Sequence, residues 1–272
     1  MAQNATSAAL QSLTEWWEDM GVEVDRAELA RIQQVQPAQN APSSPATSPL
    51  PDGRKSRTVK AQTMDLAAWT QAAEQAAIQA VNFDSLKLAI EQFEGSPLKP
   101  LCNKTVVYGG QPGAPIMVIG EGPGGQEDRQ GLPFVGKAGQ LLDKMLAAIA
   151  LDRQTNTFIT NVNFWRPPGN RNPEPDELAV CRPFVDRMID LGQPKIIIAT
   201  GGVAAKSLLN TRTGIMRLRG QEQIYTTPAG TAVPLIPMFH SAYLLRRPQD
   251  KSRTWRDLLL VQARLQDLGV KL

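Results

Sequence analysis

Three stretches of this chain gather residue types suited to a flat, polar ligand. The first runs Gly120-Glu-Gly-Pro-Gly-Gly-Gln-Glu-Asp-Arg-Gln-Gly-Leu-Pro-Phe-Val-Gly136, with a single aromatic, Phe134, among glycines, prolines and acids. Glycines let backbone approach a ligand closely, and an aromatic in such a loop can stack on a ring or fold inward as a buried plug. The second is Thr160-Asn-Val-Asn-Phe-Trp-Arg-Pro-Pro-Gly-Asn-Arg171. Its Asn161 is either a strand-end turn residue or an amide whose donor and acceptor lie side by side, as a nucleobase edge requires. The third is Phe239-His-Ser-Ala-Tyr-Leu-Leu-Arg-Arg247, which holds the one histidine of the chain, His240. That histidine is an ordinary capping residue or a hydrogen-bonding group in a pocket. Glu121 and Glu127 are solvated, cap the following helix, or orient water and balance a developing cation. The glycine-rich loop lacks both the Gly-x-Gly-x-x-Gly spacing of dinucleotide sites and the Lys-Ser/Thr of a P-loop.

Each stretch follows an apolar run that reads as a strand. Pro115–Ile119 precedes the first, residues 157–162 the second and 233–238 the third. Further strand candidates are 105–108, 195–199 and 223–227. Helical periodicity fills 65–80, 84–93 (with Asp84 as N-cap), 137–150, 175–191, 202–210 and 249–268. Strands alternating with helices predict an α/β fold with a mostly parallel sheet. The hairpin-like pair within 105–119 and the strand near 223–227 interrupt strict alternation. In such folds ligands bind beyond the carboxyl ends of the strands, so the three loops would surround one pocket with Glu121, Glu127, Phe134, Asn161, Asn170 and His240.

The remaining features set bounds. A chain of 272 residues has room for one large domain and an appendage. Residues 1–35 predict an amphipathic helical segment, with Leu10, Leu13, Trp16, Trp17 and Met20 on one face and Gly21 as its stop. Residues 36–60 form a Pro/Ser/Ala-rich linker expected to be disordered, and 61–272 the main domain. The N-terminal helix packs on that domain or recruits a protein partner. No apolar run reaches membrane-spanning length, and the first residues lack a secretory pattern. Two cysteines, Cys102 and Cys181, suit a reducing cytoplasm. Net charge is only +3, but residues 202–221 carry four basic residues and no acid, and 246–256 five basic residues and one acid, so a positive face is expected.

Together the three loops resemble the uracil-DNA glycosylase superfamily, nearest its family-4 branch. Gly120-Glu-Gly-Pro-Gly124 with Leu132-Pro-Phe-Val-Gly-Lys-Ala-Gly-Gln-Leu-Leu142 resembles the first motif. Ile159-Thr-Asn-Val162 with Arg166-Pro-Pro-Gly-Asn-Arg171 resembles the middle block, and His240-Ser-Ala-Tyr-Leu-Leu-Arg246 the last, where Pro usually stands at Ser241. The resemblance covers about 90–268. It implies a three-layer α/β/α sandwich around a mostly parallel four-stranded sheet, and a monomer that hydrolyses the N-glycosidic bond of uracil in DNA. It implies that Phe134 stacks on flipped uracil and Asn161 reads its amide edge. His240 would stabilise charge on the leaving base, and Gly122 and Gly124 would line it with the Glu121 backbone. Glu127 would wall the 5-position or hold water, and Asn170 would lie near the sugar. Arg171, Ser241, Tyr243, Leu244 and Arg246 would meet DNA, with Leu245 a further wedge candidate.

Family-4 enzymes usually hold a four-cysteine iron–sulfur cluster. Its matching positions here are Phe93, Ser96, Trp165 and Cys181. One thiolate cannot hold a cluster that takes four, so no cofactor or metal is expected, and Phe93 and Trp165 should fill the space as an apolar plug. No lysine is placed for lyase chemistry, so strand cleavage is not expected. Two other functions fit the same residues: a non-catalytic DNA- or base-binding protein, and a glycosylase for other deaminated bases such as hypoxanthine.

Overall fold

The structure is a computed structural model that describes residues 66–270. The expected N-terminal helical segment (1–35) and linker (36–60) lie outside the described residues. Four strands form the middle of a six-stranded sheet: β2 (Ile116–Gly120), β3 (Thr157–Asn161), β4 (Ile196–Thr200) and β6 (Ala232–Met238). They are mutually parallel in the order β3-β2-β4-β6, and antiparallel edge strands, β1 (Tyr108–Gly110) on β3 and β5 (Gln223–Thr226) on β6, close the sheet. Every residue of β2, β3 and β4 is buried, as strands covered on both faces must be.

Alternation divides those residues between two cores. Met117, Ile119, Phe158, Ile197 and Leu235 face one helical layer: α1 (Leu66–Gln79), α2 (Phe83–Gln92), α5 (Pro175–Gly192) and α6 (Gly202–Leu209). Ile116, Val118, Ile159, Ile198 and Ile236 face the other: α4 (Lys137–Ala147), α8 (Ser241–Arg246) and α9 (Lys251–Asp267). The result is the expected three-layer α/β/α sandwich, in which each buried aliphatic side chain contributes about 1.5–3 kcal/mol. Two further short α-helices among the described residues are α3 (Gly125–Gln130) and α7 (Ile215–Leu218).

Two local expectations change. The 105–119 segment is not a hairpin. Val106 and Val107 are buried ahead of β1, which starts at Tyr108 and pairs with β3 rather than β2. The N-cap of α2 is Asn82 rather than Asp84, because the Asn82 side chain accepts from the Ser85 amide and the Ser85 hydroxyl answers at the Asn82 amide.

Sheet register carries the functional consequence. Gly120 pairs with Asn161, and Thr200 with Met238, so the four parallel strands end nearly level. The residues that follow (Glu121, Val162, Gly201 and Phe239-His240) leave the sheet along one edge.

Candidate active site

At that edge lies a cavity of about 610 Å³. Its wall includes Glu121, Gly122, Gly124, Glu127, Phe134, Asn161, Asn170, Arg171, His240, Tyr243 and Arg246. The structure therefore brings these eleven residues singled out from the sequence together. Ser241 and Leu244 are not among them. Both are only 1% exposed, Leu244 within the second core, because the chain after His240 coils at once into α8 and turns them inward. Neither can meet DNA from there. Leu245, one step round the helix, is 46% exposed.

Phe134 is both a core side chain and a pocket wall. Its ring stacks beside His240, with centroids 5.5 Å apart and planes 24° from parallel. Its backbone takes φ 53°, the left-handed region that non-glycine residues rarely enter. Gly120 lies beneath the ring, where an added Cβ would fall 2.5 Å from both Phe134 Cζ and Asn161 Oδ1. That oxygen is buried and has no hydrogen-bond partner. An unpartnered buried acceptor costs about 1–3 kcal/mol, and here it lies at a cavity.

His240 caps α8 through its Nδ1, which accepts from the Ala242 amide at 3.1 Å. A ring nitrogen that accepts carries no proton, so the neutral ring holds its proton on Nε2. Burial lowers its pKa to about 4, helped by the positive charge of Arg246 and opposed by Glu127. The capping role expected for this residue thus falls to Nδ1, and the same side chain lines the cavity. Gly201, at φ 95°, leaves room for the ring, since a Cβ there would lie 3.1 Å from His240 Cβ.

The two glutamates differ. Glu127 Oε1 accepts from the Val135 and Gly136 amides at 2.9 and 2.8 Å, closing the loop ahead of α4. Its Oε2 would lie 2.9 Å from a Cβ on Gly124, so a larger residue there would push the carboxylate aside. Burial raises the pKa of Glu121, against the pull of Arg246. Elsewhere on the wall, Asn170 Oδ1 accepts from Arg166 Nε at 2.7 Å, and Arg171 forms a bidentate pair with Glu177 at 2.8 and 2.6 Å. Tyr243 donates its hydroxyl to Asp250 at 2.6 Å.

Residues not foreseen include Gly201 and Gly202 after β4, with Ile215 of α7 packed beside Gly202 and Met216 next to it. The same strand-end rule that picked out the other loops would have found the Gly201-Gly202 turn. Met216 is 58% exposed, in a helix too short for periodicity to reveal.

Away from the cavity, three of the four positions matching cluster ligands, Phe93, Trp165 and Cys181, lie in the first core. Phe93 stacks on Trp165 at 6.3 Å between centroids and 28° between planes, and meets Phe184 edge-on at 5.2 Å. Trp165 and Cys181 are fully buried, the Trp165 indole donates to Thr105 Oγ1, and the Cys181 thiol, pushed up to about 12 by burial, donates toward Asn163 Oδ1. Ser96 is buried and accepts from the Leu98 amide. This donor set, with a single thiol, does not fit a four-thiolate cluster. Among the described residues no group of three or more His, Cys, Asp and Glu side chains could hold a metal ion, and no helix is long and apolar enough to cross a membrane.

A model of the uracil DNA glycosylase superfamily matches residues 107–259 of the chain. The type-4 uracil-DNA glycosylase of Sulfurisphaera tokodaii is 39% identical over 143 residues, which is 51% of this chain and 64% of that protein, short of two thirds of its length. The type-4 enzyme of Archaeoglobus fulgidus is 40% identical over 141 residues, 50% of this chain and 69% of that protein. That of Pyrobaculum aerophilum is 33% identical over 187 residues, 66% of this chain and 93% of that protein.

Proposed function

The chain belongs to the uracil DNA glycosylase superfamily, and from that membership we propose that it hydrolyses the N-glycosidic bond of uracil in DNA and leaves an abasic site. One observation supports the reading above others. The Phe134 ring, the unpartnered Asn161 Oδ1 and a neutral His240 share one cavity at the sheet edge.

The target bond lies inside the base stack, so the base must turn out of the helix to reach the cavity. Phe134 offers it a ring to stack on. Asn161 accepts from N3–H and donates to O4, and cytosine, with these polarities reversed, leaves both groups unpaired. The C1′–N1 bond breaks with its electron pair passing to the base. His240 Nε2–H donates to O2 as charge gathers there, an interaction whose removal costs roughly a hundredfold to a thousandfold in rate. Water supplies the oxygen that bonds to C1′, and the proton it loses neutralises the released uracil anion. Glu121 is the carboxyl assigned to that water and to the cationic sugar, with Asn170 beside it. Glu127, tied down through Oε1, serves with Gly124 as the wall against a 5-methyl group. Arg246 and Arg171 meet phosphates, and Leu245 replaces the buried Leu244 as the wedge beside Tyr243. Without a lysine in the pocket wall the reaction stops at the abasic site. Phe93 and Trp165, which cannot ligate iron, support activity without an iron–sulfur cluster, and the proposed enzyme is a monomer acting in the cytoplasm.

The test is base release from oligonucleotides with one uracil, in U·G, U·A and single-stranded form, with hypoxanthine and T·G controls. Free uracil with an intact abasic strand is expected, and its loss in His240→Ala and Asn161→Asp. Specific binding without release would make the chain a binding protein on this fold, and preferential release of hypoxanthine would move the substrate.

A further inference from the structure

We infer that Arg153, steadied by Asp143, is a positioning residue that locks the Phe134 backbone in the turn presenting its ring to the base. The inference rests on the glycosylase reading above. Arg153 stands in the turn after α4, outside the three loops that build the pocket. Its Nη2 donates to the Phe134 carbonyl at 2.9 Å and its Nη1 to the Pro133 carbonyl at 3.4 Å. Its Nε and Nη2 both donate to Asp143 Oδ1, at 2.8 and 2.6 Å. The Arg153 side chain is only 18% exposed and Asp143 46%. An ion pair this near the surface does little for stability by itself. Two main-chain carbonyls on the same guanidinium give it a different task.

That task lies where the backbone is strained. Phe134 has φ 53°, and its carbonyl lies over the first turn of α4, 1.9 Å from where a Cβ on Gly139 would stand. Left-handed backbone at a bulky residue persists only when its surroundings over-determine it. Here a charged group grips each side. Arg153 holds the carbonyls of Pro133 and Phe134, and Glu127 Oε1 holds the following amides of Val135 and Gly136. The ring between them is left against Gly120 and His240, on the cavity wall. Releasing the carbonyl side would let the turn relax and tilt the stacking surface, while leaving Asn161 at the end of β3 and His240 at the cap of α8.

A double-mutant cycle tests this, because residues acting through one another fail to add. Uracil release at limiting substrate would be measured for wild type, Arg153→Ala, Phe134→Ala and the double variant, with Arg153→Lys alongside. Arg153→Ala should lower kcat/KM roughly tenfold to a hundredfold, the scale of a small misplacement in a site. It should weaken inhibition by free uracil, and leave binding to undamaged duplex unchanged. The double variant should match Phe134→Ala, and Arg153→Lys, which still reaches the Phe134 carbonyl, should recover most of the loss. If Arg153→Ala does not fold, Asp143→Asn carries the same cycle with a smaller loss. Activity of the single variant within about twofold of wild type, or losses that multiply in the double variant, would overturn the clamp while the glycosylase reading stands. No uracil release by wild type would remove that reading and the clamp with it.

Discussion

The proton on His240 can be followed directly, because the chain contains one histidine. Burial and the neighbouring Arg246 bring its pKa from 6.5 to about 4, while Glu127 pulls the other way. In the unfolded chain the same ring titrates at about 6.5. As pH falls through 6.5 the unfolded chain takes a proton that the folded protein refuses until pH approaches 4. Stability present above pH 6.5 is therefore lost between about 6.5 and 4. At about 1.4 kcal/mol per pH unit of separation the loss reaches about 3 kcal/mol, trimmed to about 2 where water reaches the ring. Nitrogen-detected NMR of the imidazole would give the folded titration, and urea unfolding at stepped pH the linked stability. His240→Gln, which cannot titrate, should lose that part of the acid slope. Activity should show no fall centred on 6.5 from this group. A folded-state midpoint near 6.5, or an acid slope unchanged in His240→Gln, would refute the neutral, Nε2-protonated donor.

Two further outcomes follow from packing. Gly139→Ala, which inside an ordinary helix would stabilise by about 1 kcal/mol, should instead lower Tm by several degrees and kcat/KM by roughly a hundredfold. The added carbon would fall 1.9 Å from the Phe134 carbonyl oxygen, and calorimetry showing a raised Tm would contradict that geometry. Trp165→Ala should cost about 3–5 kcal/mol in urea unfolding, whereas chelator or ferricyanide treatment of the wild type should leave uracil release unchanged.

The middle of the sheet was legible because strands buried on both faces leave unbroken apolar runs at Ile116–Ile119 and Ile196–Ala199. The edges were not. Val106 and Val107 look like strand but pack as a lead-in, the amide of Val106 bonding to the Phe164 carbonyl rather than to a ladder. Strand-end position located Glu121, Phe134, Asn161 and His240, since register then places them together. Periodicity could not tell Leu244 from Leu245, because α8 is six residues long and its entry angle depends on the His240 cap. Arg153 has no sequence signature, as its partners are main-chain carbonyls. The cluster positions came from the family resemblance, and residue chemistry then spoke against ligation, because phenyl and indole rings cannot bind iron.

The level ends of the four parallel strands also order events in time. A ribosome delivers Phe134 and Asn161 long before β6, the strand whose pairing with β4 sets Phe239 and His240 in place. Domains fold as units once their non-local contacts can form, and this one closes its catalytic edge with its last central strand. On the proposed reading, a nascent chain halted before β6 would carry Phe134 and Asn161 without the His240 assigned to the leaving base. Base release would then wait until nearly the whole sandwich has been synthesised and folded.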